Sequence, residues 1–215
     1  MSTLVKICGL KTAEALEAAL SGGADFVGLV FFPPSPRNVT PAEARPLADL
    51  AKGRAEIVAL LVDPGDALIE EVVAAVHPDM LQLHGSETPE RVAAIKARFG
   101  VPVMKAIKVE TASDAETALA YAGVAERILF DAKAPKGFHA PLPGGNGLAF
   151  DWHALEPVRG RLEFMLSGGL TVDTVATAIR LTGAWAVDVS SGVERSPGNK
   201  DLDLIAAFLA AAKAA

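Results

Sequence analysis

One cysteine, Cys8, and one tyrosine stand in 215 residues, and aromatic side chains make up only 6% of the chain. A single thiol excludes an internal disulfide, so nothing in the sequence requires an oxidising compartment. Long apolar runs are missing as well. None approaches the ~18 residues of a membrane span, and the opening MSTLVKICGL has neither the basic start nor the apolar stretch of a secretory signal. The expectation is a cytoplasmic protein with no membrane partner. Excess positive charge is also absent. The formal net charge is −6, and no basic stripe exists to displace counterions from phosphates, which argues against a general nucleic-acid binder. A small anionic ligand must therefore be held by local groups and not by the field of the whole protein.

What the chain does have is apolar residues, 51% of the total, in short branched runs: VKICG, FVGLVF, EIVALLV, MLQLHG, VPVMKAIKV, RILFDA, EFMLSG and AVDVSS. Segments with helical spacing lie between and after them: TAEALEAALSGG, PAEARPLADLAKG, PGDALIEEVVAAV, TPERVAAIKARFG, TASDAETALAYAG, DWHALEPV, TVDTVATAIRLTG and DLDLIAAFLAAAKAA. Many open on a capping Ser, Thr or Asp or on an early Pro, and several close on Gly. Eight strand–helix units at roughly 27 residues each, with no linker-like break, predict an α/β fold, a (β/α)8 TIM barrel spanning 1–215 as a single domain. An open doubly wound sheet is the alternative, but no GxGxxG follows the first strand. Two connections are longer than structure requires, FPPSPRNVT after strand two and AKAPKGFHAPLPGGNGLAF after strand six. Both follow strands, so both belong to the face where barrels place their active sites.

Alternation along strand one puts Val5 and Ile7 toward the helices and Lys6 and Cys8 toward the lumen, with Cys8 at the rim. The same parity turns Gln82, His84, Asp131, Ser167, Asp188 and Ser190 inward. Cys8 reads either as a small apolar filler or as a functional thiol, and Asp131 either as a loop cap or as a functional carboxyl. Strands seven and eight lie between their strands. SGGL (Gly168, Gly169) and SSGVE (Ser190, Ser191, Gly192) follow those two strands, where glycine-rich turns let backbone N–H groups converge on a phosphate. GGNG, with Gly145, offers a third edge. Arg37, between prolines, reads as surface charge or as a two-point partner for a carboxylate. His84 is a hydrogen-bonded rim residue or a substrate contact. His77, His139 and His153 share no ligand spacing with it, so no metal site is expected. Lys6 and Asp188, on neighbouring strands of a closed barrel, are expected to pair, and the lysine to favour the thiolate of Cys8 against the effect of burial.

KICGL, GLVFFPPSPRNV, LQLHG, ILFDAK, PGGNGLAFDW, LSGGL and DVSSGVERSPGNKD, in that order over nearly the whole chain, resemble the motifs of the phosphoribosylanthranilate isomerase family of tryptophan biosynthesis. The resemblance implies a (β/α)8 barrel that needs no cofactor or metal and performs an Amadori rearrangement of a phosphosugar. It also implies Cys8 as general base and Asp131 as general acid; a monomer or homodimer is expected. Three other readings stand beside it. They are a histidine-pathway sugar-phosphate isomerase, a Schiff-base aldolase using Lys105 or Lys133, and a catalytically silent phosphate-binding module.

Overall fold

The computed structural model describes residues 3–133, 144, 145, 147 and 149–215. Eight parallel strands close into a barrel in chain order: β1 (Leu4–Cys8), β2 (Phe26–Phe31), β3 (Glu56–Leu61), β4 (Met80–Leu83), β5 (Val103–Val109), β6 (Arg127–Ala132), β7 (Phe164–Leu166) and β8 (Ala186–Val189). All eight runs of branched residues are strands. Around them lie α1 (Ala13–Ser21), α2 (Pro41–Ala51), α3 (Asp66–Val76), α4 (Pro89–Phe99), α5 (Ala112–Glu116), α6 (Val175–Thr182) and α7 (Leu202–Lys213). The starts are set locally. Thr12 caps α1, Thr40 and Glu43 form a reciprocal capping box on α2, and Thr88 with Pro89 opens α4.

Two expected helices are tighter than predicted. TASDAETALAYAG gives only α5 before continuing as a 3-10 helix over Thr117–Tyr121, where the Thr117 hydroxyl donates to the Asp114 carbonyl at 2.6 Å. Such a back-bond competes with the α-helical ladder. DWHALEPV is 3-10 throughout, Trp152–Val158. Pro157 has no amide hydrogen to close an α-turn. The sequence reading also missed a short antiparallel ribbon, β9 (Glu194–Ser196) with β10 (Asn199–Lys200), between β8 and α7.

Outward strand residues such as Val5, Ile7, Leu81, Phe130 and Val187 join the helices in one large apolar layer. Inward residues form a separate plug, Phe26, Val58, Met80, Met104, Ala106, Leu129, Met165 and Ala186. Above the plug the lumen turns polar. Lys6 and Asp188 are register partners across the seam between β1 and β8, and the ammonium meets the carboxylate at 2.9 Å with side chains 0% and 5% exposed. The expected pair therefore forms. Asp188 also accepts from the Ser167 hydroxyl at 3.0 Å, which ties β7 to the same junction. Burial pulls the Lys6 ammonium down, but Asp188 and Cys8 outweigh it and hold the group above its ordinary range.

Breaking a buried pair from one side leaves an uncompensated charge, so Asp188→Asn and Lys6→Met should each cost about 3–5 kcal/mol, and the double variant less than their sum. Urea unfolding at neutral pH checks this. A raised ammonium contributes fully below the ordinary lysine range and loses its contribution as pH climbs through the raised value. Stability should therefore fall on the alkaline side in the parent, and less steeply in Lys6→Met.

Candidate active site

The C-terminal ends of the strands surround a pocket of about 730 Å³. Every site residue selected from the sequence lines it: Cys8, Arg37, His84, Asp131, Gly145, Gly168, Gly169, Ser190, Ser191 and Gly192. Residues 134–143, with His139, and Asn146 of the GGNG stretch lie outside the described residues.

Cys8 ends β1 against Gly28 of β2, its register partner. A methyl group on Gly28 would sit 2.8 Å from Sγ, so only glycine leaves the thiol room. Val30 and Leu60 pack with Cys8, flanked by Phe32 and Val62, making an apolar wall that the sequence reading did not pick out. Strand parity carries the signal for it, since Val30 and Phe32 share the inward face with Gly28. Burial is the largest influence on the thiol and pushes it above its ordinary range. Lys6 and Lys200 pull it down, and Asp188 adds to the push. The expectation that a nearby cation favours the thiolate holds for the direction of the lysine's effect, but burial prevails.

Asp131, near the end of β6, is fixed at both oxygens. Oδ1 accepts from the Ala132 amide at 2.9 Å, and Oδ2 lies 3.1 Å from His84 Nε2. The other ring nitrogen of His84 meets the Gln82 side-chain nitrogen at 3.0 Å. With the amide donating to Nδ1, the ring carries its hydrogen on Nε2 and donates it to Asp131. Gln82 Oε1 is buried and has no partner among the described residues. Gly144 covers this group so closely that a methyl there would lie 2.7 Å from Asp131 Oδ2.

The glycine loops after β7 and β8 are close-packed. Gly168 and Gly169 have φ of 92° and 63°, in the left-handed region that favours glycine. A methyl on Gly192 would run into the Leu170 carbonyl oxygen, so the loops after β7 and β8 interlock at that point. No turn or loop hydrogen bond among the described residues uses the N–H groups of Gly168, Gly169, Ser191 or Gly192. SSGVE does not run directly into an α-helix as its placement before α7 suggested. Ser191–Val193 is a single 3-10 turn followed by the β9–β10 ribbon.

That ribbon changes the reading of Arg37. The side chain is neither solvated nor open at its two-point edge, because Nε and Nη2 donate to Glu194 Oε1 and Oε2, both at 2.8 Å. Nη2 also donates to the Gly145 carbonyl at 3.1 Å. Glu194 accepts from Lys200 Nζ at 2.8 Å and from the Gly198 amide at 3.1 Å. Lys200 in turn donates to the Ser190 carbonyl at 2.8 Å, and the Ser190 hydroxyl donates to the Cys8 carbonyl at 3.1 Å. Two cations share one carboxylate, so the cluster is locally positive in an acidic protein. Sequence reasoning missed Glu194 and Lys200. The signal was available in ERSPGNK, a Pro-Gly turn with opposite charges near its two ends, which a ribbon brings together.

The lysines of the aldolase reading do not line the pocket. Lys105 is engaged with Glu87 outside the barrel wall, and Lys133 pairs with Asp114 at 3.1 Å. Among the described residues no group of three or more His, Cys, Asp or Glu side chains could hold a metal ion.

Because Cys8 is the one thiol of the chain, iodoacetamide alkylation against pH reads it directly. The midpoint should lie above that of the same chain in denaturant, rise further in Lys6→Met, and not rise in Asp188→Asn. An unmoved profile in Lys6→Met would make the lysine purely structural.

The comparisons with known proteins agree with this geometry. The family model of N-(5'phosphoribosyl)anthranilate (PRA) isomerase matches residues 5–211. The N-(5'-phosphoribosyl)anthranilate isomerase of Rhizobium meliloti is 55% identical over 215 residues, covering 100% of this chain and 99% of the relative. The phosphoribosyl anthranilate isomerase crystal structure from Thermotoga maritima superposes with a TM-score of 0.88 at 37% identity, covering 99% of this chain and 100% of that one. A crystal structure of the isomerase in complex with reduced 1-(o-carboxyphenylamino)-1-deoxyribulose 5-phosphate gives 0.86 at 36%, with the same coverage. Matched from the first strand into the last helix by model, relative and structure alike, the chain belongs to the N-(5'-phosphoribosyl)anthranilate isomerase family.

Proposed function

We propose that the chain isomerises N-(5'-phosphoribosyl)anthranilate to 1-(2-carboxyphenylamino)-1-deoxyribulose 5-phosphate in tryptophan biosynthesis, with Asp131 as general acid and Cys8 as general base. The chain would do so in the cytoplasm, as a monomer or homodimer and one catalytic domain. The observation that carries this reading is one pocket with a carboxyl and a thiol at its rim and, between their strands, glycine loops whose N–H groups make no turn or loop hydrogen bond among the described residues.

The phosphate would sit on the Gly168–Gly169 and Ser190–Gly192 turns. The anthranilate ring would lie on the Val30, Leu60 and Phe32 wall. Its carboxylate would face Arg37 through Nη1, since Glu194 holds the other edge. Asp131 gives its proton to the ring oxygen, the C1'–O4' bond breaks, and the aryl nitrogen lone pair forms an iminium. Cys8, as thiolate, then takes the C2' proton, and that electron pair becomes the C1'=C2' bond of an enolamine, neutralising the nitrogen. The enol hydroxyl gives up its proton as C1' gains one, leaving the ketone. One proton leaves Asp131 and one reaches Cys8, so exchange with solvent resets the pair.

Electrostatics supports this order of events. Burial keeps Cys8 protonated more than an ordinary thiol, yet the iminium formed in the first step adds positive charge beside it. The charge produced by acid catalysis thus favours the thiolate needed for base catalysis. Gln82 supports the acid in a similar way. Turning its amide over would place the unpartnered Oε1 against His84 Nδ1 and the ring hydrogen there, so that Nε2 accepts a hydrogen bond from a protonated Asp131, which keeps its proton until the ring oxygen takes it.

Substrate fluorescence, lost on conversion, supplies the assay. Cys8→Ala and Asp131→Asn should each lower kcat by ~10² or more while leaving the fold intact, and near-parental turnover in either would overturn the assignment. Arg37→Ala should raise KM about tenfold to a hundredfold, the worth of a charge-assisted hydrogen bond, without changing inhibition by inorganic phosphate. Gly192→Ala should weaken phosphate inhibition, because its new methyl displaces the Leu170 carbonyl. Equal loss of phosphate inhibition in both variants would mean that the two ends of the ligand are misassigned.

A further inference from the structure

Lys105 and Glu87 form a salt bridge of 2.8 Å in which each side chain is 2% exposed. Lys105 lies on β5 opposite Leu83 of β4. Its neighbours Met104 and Ala106 belong to the plug in the lumen, so Lys105 points to the helix side and cannot touch a molecule in the pocket. Its ammonium donates to the carbonyls of Leu83 at 3.3 Å and Gly85 at 2.8 Å. These two residues flank His84. Glu87 holds the same turn from the other direction, accepting from the Gly85 amide at 3.1 and 3.0 Å and from the Asp63 amide at 2.8 Å. Tyr121 donates to the Glu87 carbonyl at 2.8 Å. Among the described residues the backbone of His84 itself has one tie, its amide to the Leu61 carbonyl at 2.9 Å.

Two ions buried in a barrel wall stabilise it no better than two apolar side chains of the same volume. What the charges add is direction. Beyond the salt bridge, each side-chain hydrogen bond of this pair goes to backbone at the end of β4 or in the turns after β3 and β4, and the turn after β4 carries the His84 ring to Asp131. We propose that Lys105 and Glu87 are positioning residues, which clamp the backbone on both sides of His84 and so hold the His84–Asp131 contact from outside the barrel. The inference rests on Asp131 being the acid.

The test measures kcat, KM and Cys8 alkylation in the full chain for Lys105→Met, Glu87→Gln, Asp131→Asn and the double variant Lys105→Met/Asp131→Asn. Misplacement of a catalytic group by about an ångström costs up to about a hundredfold. The expected result is a kcat lowered at least about tenfold in Lys105→Met with KM within about twofold, and an unchanged alkylation profile of Cys8. The double variant should be no slower than Asp131→Asn alone, because the lysine acts only through that carboxyl. Ring nitrogen-15 shifts of His84, assigned with His84→Asn, should move in Lys105→Met. If kcat stays within about twofold of the parent, or if the two losses multiply in the double variant, the inference falls. Normal turnover in Asp131→Asn would instead sink the reading on which it rests. Should Lys105→Met not fold, the near-isosteric Glu87→Gln carries the same comparison with the same outcomes.

Discussion

The contact between Lys6 and Asp188 is the constraint on which the rest of the molecule depends. It closes the barrel at the seam where the first strand meets the last, and it does so with charges that have no other partner of opposite sign among the described residues. A one-residue slip of β1 against β8 would turn Lys6 out of the lumen into the apolar layer beside the helices and leave Asp188 buried without its counterion. The pair therefore selects one register. That register places Cys8 at the rim, Ser167 against Asp188, and Ser190 against the Cys8 carbonyl. The lysine that closes the fold is also the largest opposing influence on the buried thiol.

Above the seam, an acidic protein builds a site for an anionic molecule without reversing its overall charge. At one end, the proposed phosphate seat is made of uncharged amides on interlocked glycine loops. At the other, Glu194 gathers Arg37 and Lys200 so that two cations share one carboxylate, and the arginine is oriented before any ligand arrives. Ordering an arginine otherwise carries an entropic cost at binding. Here the ribbon β9–β10 meets that cost during folding.

The strands and the inward parity of Lys6, Cys8, His84, Asp131 and Asp188 were legible in the sequence because they follow from a period of two in short parallel strands. The glycines after β7 and β8 were legible for a different reason, namely that their position in a barrel of this kind is itself informative. What escaped was set by single residues or by distant partners. Pro157 turns a helical pattern into a 3-10 turn, and the Thr117 hydroxyl tightens another. The partner of Arg37 lies 157 residues away, and no local pattern announces it. Burial of Cys8 against Lys6 could be named from parity, but which of the two prevails depends on packing from strands two and three.

The seam also has a consequence in time. Lys6 and Asp188 are 182 positions apart, and a chain made from its amino terminus exposes the lysine long before its counterion exists. Until then β1 carries an ammonium that no apolar interior will accept, so the first strand stays in contact with water while the middle of the barrel is already available to fold. Closure, and with it the assembly of thiol, carboxyl and anion loops into one pocket, awaits the release of the last strand from the ribosome. A nascent chain that has not yet delivered β8 cannot carry the finished site.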